Sequence, residues 1–139
     1  MINFNYENDF TLGNEDAIAI WLSNVIESEK KKEGEINYIF CDDEYLHKIN
    51  LEYLNHDTLT DIISFDYTMG NELNGDIFVS VERVKDNALD FNVSFDEELR
   101  RVLVHGLLHY CGYKDKSEED ELKMRAKEDE KLAMFHMEQ

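Results

Sequence analysis

The sequence predicts an α+β fold: a small four-stranded mixed sheet packed with about five helices. Three features predict it. Four short segments read as strands, three longer ones place apolar residues at helical spacing, and two more helices are read from a capping box and from charge pairs. A length of 139 residues with 42% apolar content suits one core and not two, so residues 1–139 are read as a single domain. No repeat, linker or low-complexity stretch divides the chain. Proline is absent, so boundaries are read from glycine, asparagine and capping residues.

Ile2-Asn3-Phe4-Asn5-Tyr6 alternates apolar and polar side chains, the period of a strand. From Glu15 to Lys32, the residues Ile18, Trp21, Leu22, Val25 and Ile26 recur at helical spacing, and Gly34 is expected to close that helix. Ile36, Tyr38 and Phe40 give a second alternating strand. Glu44 to Leu54 carries Tyr45, Leu46, Ile49 and Tyr53 on roughly one face, a short helix. Asp61 to Phe65 and Asp76 to Val79 are strand-like, and the turn-rich stretch 69–75 between them predicts an antiparallel pair. Val81 to Leu89 reads as a helix with Val84, Ala88 and Leu89 inward. Ser94-Phe95-Asp96-Glu97 is a capping box that starts the next helix. Asp115 to Ser117 opens the last one, where Glu119 with Lys123 and Glu121 with Arg125 are favourable pairs.

Fourteen basic against 32 acidic residues give a net charge of −18, which favours solubility and repels polyanions at long range. Any nucleic acid must then be held by local cations or by a partner. Lys30-Lys31-Lys32, Arg100-Arg101, and Lys114 with Lys116 are the local cations, each read as solvated surface charge before phosphate clamp. The apolar runs are too short to span a bilayer, and the N-terminus has no basic stretch or secretory core, so the protein is expected in the cytoplasm. Cys41 and Cys111 do not make a disulfide framework, and Cys111 is read as packing rather than ligation.

The most informative segment is His105-Gly106-Leu107-Leu108-His109, followed by Gly112 and Asp115. Residues four apart on a helix differ by about 40° around the axis and roughly 6 Å along it, so both imidazoles leave one face. That separation suits two nitrogens meeting one divalent metal. Gly112 permits a left-handed exit from the helix, which can return Asp115 to the histidines as a third ligand. Three ligands leave a position open to water, an arrangement that supports hydrolysis. The alternative is a pair of hydrogen-bonded core histidines, since Val102, Leu103, Val104, Leu107 and Leu108 make the segment mostly apolar. In H-E-x-x-H peptidases the residue after the first histidine is the general base. Gly106 stands there and cannot take a proton, so peptidase chemistry is disfavoured.

Three blocks resemble the YbeY family of metal-dependent endoribonucleases that act in ribosomal RNA maturation. Thr60-Asp61-Ile62-Ile63-Ser64-Phe65 looks like that family's T-D-V-L-S-F strand, and Gly75-Asp76-Ile77 like its G-D-I strand. His105-Gly106-x-Leu108-His109-x-x-Gly112-Tyr113 looks like its H-G-x-L-H-x-x-G-Y-D-H segment. The resemblance implies a zincin-like metal-site helix and one divalent metal ion, zinc, with His105 and His109 as its first two ligands. Asp115 falls where the family has a third histidine, and Lys114 where it has aspartate. An alignment with one inserted residue pairs Lys116 with the histidine instead, and is disfavoured because an ammonium is a poor ligand. A carboxylate ligand lowers the site's positive charge, so bound water should ionise less readily, and harder cations such as manganese are admitted more easily. The family's basic arginine before the strand is also missing, with Leu54-Asn55-His56-Asp57 in its place.

The expected activity is therefore metal-dependent hydrolysis of an RNA phosphodiester, in rRNA maturation and ribosome assembly. Ribosomal RNA or the small ribosomal subunit is the expected partner, with no membrane and no DNA. Thr60, Asp61 and Ser64 would line a wall of the cleft. His56, Asp61 and Ser64 are catalytic candidates, with no general base assigned; each also has a structural reading, as a loop residue or a strand-end hydrogen-bonding group. The alternative function is a non-catalytic ribosome-assembly factor with a structural metal site.

Overall fold

The alternating segments pair into one mixed sheet in the computed structural model, which describes residues 1–54 and 60–137. The elements run β1 (Ile2–Tyr6), α1 (Glu15–Ser28), β2 (Lys32–Cys41), α2 (Asp43–Leu54), β3 (Ile62–Asp66), β4 (Glu72–Ser80), α3 (Val81–Phe91), α4 (Phe95–Tyr110) and α5 (Glu118–Met137). The strands lie in the order β1-β2-β4-β3. β1 and β4 both run parallel to β2, which needs the long helical crossovers the sequence provides. β3 is antiparallel to β4, with Ile62 opposite Val79 and Asp66 opposite Gly75, as the turn-rich connection predicts. β3 therefore forms one edge of the sheet.

Alternation along the central strands divides the core between two faces. Ile36, Tyr38 and Phe40 of β2 and Leu73, Ile77 and Val79 of β4 are fully buried beneath α1, α4 and α5. On the other face Leu46 and Ile49 of α2 cover Cys41 and Ile63. Ile18, Trp21, Leu22, Val25 and Ile26 form the buried stripe of α1, as their spacing predicts. Ser80 and Ser94 cap α3 and α4 by accepting from the amides of Arg83 and Glu97. The Tyr38 hydroxyl donates to the Leu103 carbonyl at 2.8 Å, tying α4 to the middle of the sheet.

Several local expectations are corrected. Gly34 does not close α1; it lies within β2, and the helix ends at Ser28, where Lys30 takes a left-handed φ of 59° and the Lys31 amide returns to Ile26. Gly34 serves close packing instead, because a Cβ there would stand 2.3 Å from the Asn74 side chain and 2.6 Å from the Leu73 carbonyl. Leu89 points outward: the Ser80 cap sets a phase in which Val81, Val84 and Ala88 face the core, and Leu89 lies a further 100° around. Tyr45 and Tyr53 are exposed at the edge of the α2 face. Glu119 meets Lys123 as expected, while Arg125 pairs with Glu128 at 3.8 Å.

Helix α4 crosses β3 and β4 at Gly106. A Cβ there would come within 2.9 Å of Ile62 Cδ1 and 3.3 Å of Ile77, so glycine allows the closest approach of the histidine helix to the sheet. Farther along, the Tyr110 phenol covers Gly75 and donates to the Phe65 carbonyl at 2.9 Å. A Cβ at Gly75 would lie 2.2 Å from that phenol oxygen and 2.6 Å from the Phe65 carbonyl. Gly75→Ala should lower unfolding free energy by about 2–3 kcal/mol through overpacking. Gly106→Ala should cost about 1 kcal/mol or less, because the flexible Ile62 tip can yield and alanine favours helix by about 1 kcal/mol. Urea unfolding of both variants checks the order; equal losses would contradict this packing.

Candidate metal centre

The apolar stripe of α4 fixes where its histidines point. Val102, Leu103, Leu107 and Leu108 are buried against the sheet and α5, leaving His105 and His109 half-buried along the rim of that interface. Their Nε2 atoms stand 3.0 Å apart. Each ring places its other nitrogen against an acceptor: His105 Nδ1 lies 2.6 Å from Glu128 Oε2, and His109 Nδ1 lies 3.0 Å from the Tyr113 carbonyl. Proton donation from Nδ1 in both rings leaves both Nε2 atoms as lone-pair acceptors. Two lone pairs facing one another at that distance repel unless a proton or a cation lies between them.

The glycine turn completes the group. Gly112 adopts a φ of 104°, its amide bonds the His109 carbonyl, and the Tyr113 amide returns to the Leu108 carbonyl. This is the left-handed helix exit that the sequence predicts, and glycine is required because other residues are strained at that angle. The turn sets the Tyr113 carbonyl on His109 and brings Asp115 back, with Oδ2 3.4 Å from both Nε2 atoms. His105, His109 and Asp115 thus offer three ligand atoms close enough to hold one metal ion. A tetrahedral ion with bonds of about 2.0–2.1 Å has ligand-to-ligand edges of about 3.3–3.4 Å. Edges of 3.0, 3.4 and 3.4 Å fit that requirement, and the donor set of two imidazoles and a carboxylate suits zinc or a harder divalent ion.

Glu128 carries no motif signal and is not among the site residues expected from the sequence. It is nonetheless the acceptor for His105, only 5% exposed, and Arg101 Nη1 donates to its other oxygen at 2.8 Å. Its signal lies in spacing: Met124, Leu132 and Phe135 form the buried stripe of α5, and Glu128 sits within it. Burial opposes charge on His105, but the hydrogen bond and charge of Glu128, helped by Asp115 and Asp61, raise its pKa above the ordinary 6.5. Burial likewise opposes charge on Glu128, and the His105 and Arg101 bonds outweigh it, holding the carboxyl below 4.5.

The other candidates separate. Asp61 lines a cavity of about 650 Å³ together with His105 and Asp115. Burial pushes its carboxyl up, and Asn87 donates to it at 3.3 Å. Ser64 lies on β3 beside the Tyr110 phenol and is absent from that cavity's lining. Thr60 hydrogen-bonds the Ile62 carbonyl, a strand-end role. His56 lies outside the described residues. Arg101 is committed to Glu128 and Asp129, and Arg100 stacks 4.5 Å from the Phe135 ring centre, whereas Lys114 and Lys116 are exposed on either side of Asp115. Burial pushes the Cys41 and Cys111 thiols up to about 12 and about 11, which suits packed thiols rather than ligands.

Similarity to known proteins extends over the whole fold. The family model described as endoribonuclease YbeY matches residues 3–136. The protein named endoribonuclease YbeY from Flavobacterium johnsoniae is 78% identical over the whole of both chains. Its namesake from Flavobacterium psychrophilum is 66% identical, covering 100% of this chain and 99% of the relative. The solution structure of TM1509 from Thermotoga maritima superposes with a TM-score of 0.73 at 25% identity, covering 99% of this chain and 91% of that one.

The His105–Glu128 pair makes stability depend on pH in the metal-free protein. The His105 contribution is full below the ordinary 6.5 and is lost as pH rises through its raised value. The Glu128 contribution is full above the ordinary 4.5 and is lost as pH falls through its lowered value. Unfolding free energies of wild type and Glu128→Gln should therefore differ most between pH 4.5 and 6.5, converge at lower pH as Glu128 becomes neutral, and keep a smaller difference at higher pH, where the Arg101 pair remains. A difference independent of pH would exclude the charged pair.

Proposed function

This chain belongs to the endoribonuclease YbeY family, and from that membership we propose that it hydrolyses RNA phosphodiester bonds with one divalent metal ion held by His105, His109 and Asp115. The observation that carries the proposal is the meeting of three ligand atoms within 3.4 Å on a scaffold whose family match spans residues 3–136. When bound, the ion would polarise a phosphoryl oxygen and lower the pKa of water from 15.7 toward about 7. Zinc is the proposed ion, because its tetrahedral site accepts two histidines and a carboxylate.

The protein's own groups orient the ligands and shape access. Glu128 and the Tyr113 carbonyl hold the Nδ1 protons and keep both Nε2 atoms available, a supporting role whose loss typically costs about 10–100-fold in metal affinity. Gly106 removes the carboxylate that a peptidase needs and leaves room where α4 meets the sheet. Asp61, across the same cavity, is the candidate retained for holding a proton near the scissile bond, since burial favours its neutral form. Ser64 faces Tyr110 and drops from the catalytic set.

The substrate we propose is ribosomal RNA or the small ribosomal subunit, in the cytoplasm. Among the described residues, no helix is long and apolar enough to cross a membrane. A net charge of −18 opposes capture of free RNA at long range, which favours a substrate presented within a larger assembly.

Metal analysis and cleavage assays test the proposal together. Wild type should hold one equivalent of zinc and cut single-stranded RNA, and His109→Ala should lose both. Unchanged RNA cleavage by metal-free His109→Ala would remove the mechanism. Asp115→His replaces an anionic ligand with a neutral one, so water should ionise more readily and the rising limb of the pH–rate profile should move to lower pH. An unmoved limb would show that Asp115 does not reach the ion.

A further inference from the structure

The cavity beside the histidines contains a group that neither the fold nor the metal reading uses. Glu98 of α4 is only 5% exposed and lines this cavity of about 650 Å³. Among the described residues, no hydrogen bond or ion pair reaches its carboxylate, although Asp61, Arg101, Arg125 and Glu128 act on it through charge. Burial pushes the Glu98 carboxyl up, because an ionised carboxylate without donors is costly, so this side chain favours an entrant that brings N–H donors to hold it ionised. Ile62, Phe91 and Val102 give the cavity apolar walls, and its volume lies within the usual range of about 300–1,000 Å³ for ligand pockets.

We propose that this cavity is a nucleobase subsite selective for guanine, in which the Glu98 carboxylate accepts the N1–H and N2–H of the base. The assignment rests on the reading of the adjoining centre as an RNA hydrolase. Single-stranded RNA is recognised through splayed bases hydrogen-bonded along their Watson–Crick edges. Only guanine presents two adjacent N–H donors on that edge with no acceptor between them. Adenine and cytosine set a ring-nitrogen acceptor beside the amino group, and uracil flanks its single N–H with carbonyls; each would face a carboxylate oxygen with repulsion. Phe91, at 57% exposure, supplies an aromatic ring at the cavity wall against which a base can stack. A guanidinium from a protein partner has a similar donor pair. The location favours RNA, because His105 and Asp115 line the same cavity, so a base seated here would carry its phosphate on the side of the candidate metal ligands.

Two measurements test the subsite. Nuclear magnetic resonance titration of the zinc-loaded protein should show guanosine binding at least tenfold tighter than adenosine, cytidine or uridine. Inosine, which lacks the N2 amine, should fall between. Glu98→Gln should remove the guanosine advantage without changing zinc content. Sequencing of cut ends from a randomised RNA pool should place guanine at one fixed position beside the break for wild type and at none for the variant. Equal binding of all nucleosides, a guanosine preference retained by Glu98→Gln, or displacement of guanosine by N-acetylarginine amide at lower concentration would each overturn the subsite. The nucleoside series on wild type decides between these outcomes even if the variant does not fold. RNA cleavage without guanosine selectivity removes the subsite alone, and guanosine selectivity without RNA cleavage removes the hydrolase reading alone.

Discussion

The candidate centre depends on where two protons sit. Each imidazole commits its Nδ1 proton to the protein, His105 to Glu128 and His109 to the Tyr113 carbonyl, so that two Nε2 lone pairs meet 3.0 Å apart. In the other tautomer, Nε2–H bonds would point at one another and two acceptors would be left unmatched at Nδ1. The fold supplies each acceptor from a different place: one from the buried stripe of α5, the other from the turn after α4. Docking of α5 and closure of the turn are thus conditions for a metal-competent pair.

Both conditions share one electrostatic tie. Tyr113 donates its hydroxyl to Glu29 at the end of α1 at 2.7 Å, and the same carboxylate meets Lys131 of α5 at 2.7 Å. Lys131 is only 2% exposed, bonds Ser28, and offers its backbone carbonyl to the Trp21 indole. A buried ammonium of this kind is tolerated because its donors are satisfied, and removing one partner of such a pair costs about 3–5 kcal/mol. The tie therefore holds the turn that orients His109 against the helix that orients His105. The core packing of Trp21 and Phe135, with ring centres 5.4 Å apart, lies in the same α1–α5 interface.

Glycine plays two distinct parts along α4 and its exit. Gly106 serves proximity, since helix and sheet approach too closely for an unstrained Cβ, whereas Gly112 serves backbone conformation at a φ of 104°. The first residue occupies the position at which a peptidase carries its base. Loss of the carboxylate that a peptidase uses as base and close packing of the histidine helix are thus two consequences of one missing side chain.

Periodicity in the sequence determined most of the elements, because strand alternation and helical spacing are local properties: the stripe of α1, the antiparallel β3–β4 pair, the caps of α3 and α4, and the His105, His109 and Asp115 grouping were all legible from neighbouring residues. Boundaries set by distant contacts were not. Gly34 reads as a helix stop, yet it belongs to β2 because Asn74, 40 residues onward, packs where its side chain would be. Leu89 reads as core, yet a one-residue phase set by the Ser80 cap turns it outward. Tertiary structure alone decided that Glu128 orients His105, that Tyr113 reaches Glu29, and that Glu98 faces a cavity without a described partner. Those pairings join residues far apart in sequence, and a single sequence records the residue types but not which distant ones the packed helices bring together.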